Sequence, residues 1–196
     1  MKATEVLRRE HEELLRFLSI LDKICRLILH GENVHGCHII QVVEIIKVFV
    51  NKCHNVKEEE LLFPELEKVG VKKENGPVEV MLMEHYVETK YFDQLCEAFE
   101  NYNQSRSNYS VETFESAKKY IELSKRHIHK ENDLFLNIAN TYLSDPSNQR
   151  LVEGFEKIDL ERLGAGKREL ISETINELER IYLSPDSAAN DVVRVR

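Results

Sequence analysis

The chain has 196 residues, of which 42% are hydrophobic and 32% charged, enough for one domain with a sizeable core. A formal net charge of −8 with no Lys/Arg-rich run argues against a nucleic-acid footprint, and no apolar run approaches the roughly 18 residues of a membrane span. Seven Gly and four Pro leave little punctuation, which favours long helices over a turn-rich β architecture.

Four periodic segments follow one another. The first runs from about Ala3 to His30, with Leu7, His11, Leu14, Leu18, Leu21, Cys25 and Ile28 recurring at three- and four-residue spacing. Gly31-Glu32-Asn33 breaks it. The second covers about Val34 to Lys68, its stripe holding Ile39, Val43, Ile46, Val50, His54, Glu58 and Leu61; Pro64 is expected to make its last turn irregular. The third spans about Gly76 to Tyr102 and carries Val78, Leu82, His85, Phe92, Cys96 and Phe99. After a polar NQSRSN connector, the fourth covers about Ser110 to Leu143, with Phe114, Ala117, Ile121, Ser124, His127, Glu131, Phe135 and Ile138. SDPS at 144–147 is a stop signal. Two shorter helices are expected between Gln149 and Leu183, broken near Gly164-Ala165-Gly166, and SPDSAANDVVRVR reads as a tail. Amphipathic segments with short connectors predict an all-α, up-down-up-down four-helix bundle in residues 1–145, with a short C-terminal helical extension and tail in 146–196.

Each inward stripe carries one histidine, and His54 and His127 are each followed four residues later by a glutamate, Glu58 and Glu131. Positions i and i+4 share a helix face, so an imidazole and a carboxylate can converge on one cation. The heights agree as well. Nineteen residues separate His11 from His30 and His35 from His54, and 17 separate His85 from Tyr102 and Ser110 from His127. At about 1.5 Å per residue, the four histidines fall in one layer. A lone histidine on an apolar stripe is more often a hydrogen-bonded core residue, but two glutamates at the same depth would cost several kcal/mol each to bury. No Lys or Arg occupies those inward stripes at that height. A metal centre held by His11, His54, Glu58, His85, His127 and Glu131 supplies the missing charge. Four imidazoles and two carboxylates suit two iron ions; zinc or manganese fits the same donors.

The pattern H…HxxxE…H…HxxxE, with the wording CHNVKEEELLFPELE, GPVEVMLMEHYVETKYF and HIHKENDLF, resembles the hemerythrin-like, HHE cation-binding family over about residues 3–145. The 149–183 stretch resembles the short extension that many members carry. The resemblance implies that His11 and His54 hold one iron, that His85 and His127 hold the other, and that Glu58 and Glu131 bridge. It also implies a small diatomic or peroxide ligand. The oxygen-carrying members place a further histidine four residues after the third-helix one, where this chain has Thr89, so simple reversible O2 carriage is not expected. Glu88 is then an extra ligand, an outer hydrogen-bond acceptor or a solvated side chain.

Other residues read as ordinary. Tyr86 is expected to pack between helices, His129 to face away, Glu59 and Glu60 to be solvated, and Cys53 to be a packed thiol. His35-Gly36-Cys37-His38 lacks a fourth ligand and lies at the far end from the layer. The four scattered cysteines (25, 37, 53, 96) read as free thiols in a reducing cytoplasm. The leading expectation is a non-heme di-iron protein that binds or reacts with O2, peroxide or NO in a redox, sensing or iron-handling role. Peroxide- or NO-directed turnover would make it an enzyme. The alternative is a structural or interaction bundle whose iron or zinc site only ties the helices together. In either case neither nucleic acid nor membrane is an expected partner, and the 149–183 segment is the candidate for docking a protein or a second copy.

Overall fold

A computed structural model describes residues 2–104 and 110–184. Most of the NQSRSN connector and of the C-terminal tail lies outside these residues. The described residues form six helices and no strand: α1 (Ala3–Leu29), α2 (36–68), α3 (Pro77–Gln104), α4 (110–142), α5 (145–163) and α6 (Lys167–Tyr182). None is long and apolar enough to cross a membrane.

Local chemistry sets the helix ends. Gly31 takes the left-handed conformation at φ 78°, which lets Glu32 N–H reach back to the carbonyl of Leu27 at 2.9 Å and satisfies an end that would otherwise leave carbonyls unpaired. Gly70, at φ 98°, repeats the device, with Val71 N–H on the carbonyl of Leu66 at 3.1 Å. At the start of α5 the Ser144 side chain accepts from Ser147 N–H at 3.3 Å, and Pro146 sits where no N–H is needed.

The helical rods are not uniform. Wide π-type turns, in which N–H groups reach five residues back, run through Ile45–His54 and Lys57–Leu62 of α2, Glu131–Phe135 of α4 and Asp159–Leu163 of α5. In α2 the Phe63 N–H reaches the Glu58 carbonyl, immediately before Pro64, whose ring removes a donor from the ladder. The expected irregularity is therefore spread over the turns that precede the proline.

The core divides in two. One apolar cluster gathers Ala3, Leu7, Leu62, Phe63, Leu66, Val78, Met81, Phe135 and Phe155. The other gathers Leu14, Leu18, Leu21, Ile46, Phe49, Phe92, Tyr120, Ile121 and, from the C-terminal helix, Ile175, Leu178 and Tyr182. The first four helices each pass from one cluster to the other, and their buried histidines and glutamates lie in the gap. α5 and α6 pack on α1 and α2 and share both clusters. Polar ties reinforce this: Arg168 Nη2 donates to Glu13 Oε2 at 2.5 Å, Arg16 pairs with Glu179, and His38 Nδ1 meets the Tyr182 hydroxyl at 2.7 Å.

Candidate metal centre

In the gap between the two clusters, α1 contributes His11, α2 contributes His54 and Glu58, α3 contributes His85, and α4 contributes His127 and Glu131. All six are at most 3% exposed. They form two overlapping groups, His11, His54, Glu58 and Glu131, and Glu58, His85, His127 and Glu131, whose nitrogen and oxygen atoms lie within 4.8 Å of one another. Both glutamates belong to both groups.

The imidazoles share one orientation. Every Nδ1 is turned outward onto an acceptor: His11 to Asn132 Oδ1 at 2.9 Å, His54 to Glu10 Oε2 at 2.9 Å, His85 to Glu59 Oε1 at 2.6 Å and His127 to Glu84 Oε2 at 3.1 Å. Since a carboxylate only accepts, Nδ1 carries the proton and donates. Every Nε2 then presents a lone pair inward. His11 Nε2 lies 3.4 Å from Glu58 and 3.3 Å from Glu131, His54 and His85 Nε2 each lie 3.4 Å from Glu58, and His127 Nε2 lies 3.3 Å from Glu131. His85 and His127 bring their Nε2 atoms to 2.9 Å of each other.

This is an assembly of acceptors facing acceptors. Both oxygens of Glu58, both oxygens of Glu131, and Nε2 of His11 and His54 are buried without a hydrogen-bond partner. Native interiors almost always pair such atoms. Without a metal, only protons can hold the cluster together. Burial pushes the His11 imidazole down, but Glu131 and Glu58 outweigh it and raise it to about 10; the same opposition raises His85 to about 9 and carries His127 well above its ordinary value. Burial and mutual repulsion push Glu58 up, but the surrounding histidines leave it lowered, and Glu131 is held well below the carboxylate range. Cations at the centre would satisfy the same lone pairs directly, so the donor set fits a metal.

Several neighbours differ from the sequence expectations. Glu59 is exposed, as expected, yet its carboxylate orients His85. Tyr86 does not pack between helices; it is 60% exposed with Lys90 Nζ 5.3 Å above its ring, because one residue past an inward histidine turns α3 toward solvent. Glu88 is not solvated, being 3% exposed, and it lies outside both groups. Thr89 is exposed and returns its hydroxyl to the His85 carbonyl at 3.0 Å. His129 is exposed. Cys53 is buried, and its thiol donates to Asp159 Oδ1 at 2.7 Å. At the far end Cys37 and His35 are in contact at 3.0 Å, while His38 is engaged by Tyr182.

A buried cation does exist beside the cluster, on the flank that stripe reasoning leaves to solvent. Lys57 is fully buried, bonded to Glu10 at 2.6 Å and to Asp159 at 2.8 Å. Glu10 therefore sits between Lys57 and His54. Burial pushes its carboxyl up, but the His54 hydrogen bond and the Lys57 charge overcome this and lower it to about 2. Glu10, Glu84 and Asn132 escape sequence reasoning because their partners are on other helices. The one readable signal is Glu10 beside His11 at the start of α1.

A helical protein with a buried, evenly shared His/Glu cluster is the class that fold and site define. The chain belongs to the hemerythrin HHE cation-binding domain family, whose model matches residues 2–139. No curated protein and no solved structure matches it.

Proposed function

We propose that the six residues hold two iron ions and that the protein is a non-heme di-iron protein that reacts with small oxygen or nitrogen ligands in a redox, sensing or iron-handling role. In this reading 1–145 is an up-down-up-down four-helix bundle, and the segment after it is an extension that buttresses the centre. His11 and His54 hold one ion, His85 and His127 the other, and Glu58 and Glu131 span both. Two imidazoles and both shared carboxylates would then be available to each ion, and the bound irons would supply the place where a small exogenous ligand reacts.

The observation that carries this reading is the opposed polarity of the imidazoles: every Nδ1 is committed to an outer acceptor and every Nε2 meets carboxylate lone pairs. A pair of iron ions would supply one- and two-electron redox chemistry. The chain's own contribution is to fix the histidine tautomers through Asn132, Glu10, Glu59 and Glu84, and to wall the centre off with an apolar cluster on either side. The free thiols fit a reducing cytoplasm.

Expression with iron, followed by metal analysis, should return about two ions per chain, as the two four-donor groups require. The visible spectrum should change on adding O2 or peroxide. Protein that takes up no metal, or a metal-loaded centre inert to electrons and to every small ligand, would overturn the redox reading. The inert case would favour a site that only ties helices together.

A further inference from the structure

Beside the cluster, a cavity of about 20 Å³ runs along His54 and His127. Leu14, Phe17 and Val50 give it apolar walls, while Glu88 and Ser124 line it with polar atoms. Those two side chains are 3% and 7% exposed; neither Glu88 Oε1 nor Ser124 Oγ has a partner of good hydrogen-bond geometry within the protein, although the serine hydroxyl lies close enough to the Glu88 carboxyl to lower it against its burial. Native interiors seldom leave such groups unpaired, because the lost hydration is not replaced. Two of them on one cavity, next to the imidazoles of His54 and His127, constitute a built site for a guest.

The guest's chemistry follows from its hosts. The space admits a water or a molecule of two heavy atoms. The Glu88 oxygen is an acceptor whether its carboxyl is ionised or not, and the serine hydroxyl can donate or accept. A guest that both donates and accepts hydrogen bonds therefore matches this lining best. Water and hydrogen peroxide do so; dioxygen and nitric oxide carry no hydrogen.

We propose that this cavity binds a small O–H donor, water at rest and hydrogen peroxide in reaction, with Glu88 accepting its hydrogen bond and Ser124 completing the grip. The peroxide half of the proposal rests on the di-iron reading; the binding of an O–H donor does not. Glu88 selects peroxide over diatomic gases at this centre. Its removal relieves a buried polar group and leaves the fold intact.

A crystal structure of the zinc-loaded or metal-free chain tests the site without reference to redox chemistry. Density is expected within hydrogen-bond distance of Glu88 Oε1 and Ser124 Oγ, and a cavity without density there overturns the proposal. In iron-loaded protein, Glu88→Leu should keep its metal and lose at least about tenfold in the second-order rate with hydrogen peroxide, the equivalent of one hydrogen bond. Nitric oxide binding should change less than about twofold, and Glu88→Gln, which keeps a carbonyl acceptor, should restore most of the peroxide rate. Equal losses for both ligands, no loss for either, or loss of metal from Glu88→Leu would each overturn it, the last by making Glu88 a metal ligand. A wild-type chain that takes up no metal removes the di-iron reading, while the crystallographic arm still decides the site.

Discussion

At the scale of single residues, the centre works by division of labour within each imidazole ring. The inward nitrogen faces Glu58 or Glu131, and the outward one is held by a group from another helix. Glu58→Ala or Glu131→Ala should each release both ions, because each carboxylate belongs to both groups, whereas His129→Ala should retain them. Metal analysis of the three purified proteins decides this, and equal contents would break the assignment. Glu10→Gln keeps the shape but removes the charge that orients His54 and pairs with Lys57. A loss of about 10- to 100-fold in metal affinity is expected, measured by competition with a chelator. The gathering of the six central residues at one depth is legible in the sequence, because an i, i+4 spacing and a distance from the helix end are each read from one helix at a time. Asn132, Glu59 and Glu84 are not, since their roles arise only when helices meet. Glu59 in particular is exposed and looks ordinary from its own helix.

At the scale of elements, the apolar period placed the helices well. The period predicts that the first segment ends near His30, and it ends at Leu29; it predicts that the third begins near Gly76, and it begins at Pro77. The π-type turns were not visible, because they preserve the apolar face while changing only how far back each N–H reaches. Three of the four fall on the stretches carrying His54, Glu58 and Glu131. The C-terminal helices offered a weak sequence pattern but bury Leu151, Phe155, Ile158, Ile175 and Leu178. Phe155 is 1% exposed and lies in the cluster beneath the centre, with Lys57 Nζ 5.9 Å above its ring. Phe155→Ala should lower stability by about 3–5 kcal/mol, read as a shift in the denaturant midpoint. A change under 1 kcal/mol would mean that α5 adds little to the core.

At the scale of the whole molecule, metal-free and metal-loaded protein should respond to pH in opposite ways. In the metal-free chain the folded imidazoles of His11 and His85 stand at about 10 and 9, against 6.5 in the unfolded chain. The stability they confer is present below pH 6.5 and is lost as pH rises through 9 to 10. Metal binding needs neutral imidazoles, so the gain in melting temperature from added metal should grow as pH rises and fade in acid. Melting curves of both forms across that range should therefore diverge upward in pH; parallel curves would contradict the site's protonation chemistry. Acid adds a separate loss as pH falls from 4.5 toward 2, where Glu10 is protonated and its pairing with Lys57 disappears. The same pairing gives the molecule a long lever. Asp159, partly exposed at the start of the π-type turns that end α5, grips Lys57, which grips Glu10, which grips His54. Whatever nudges that outer aspartate, be it a modification, a contact or a stray ion, is felt three groups inward as a change in how firmly one ring is held.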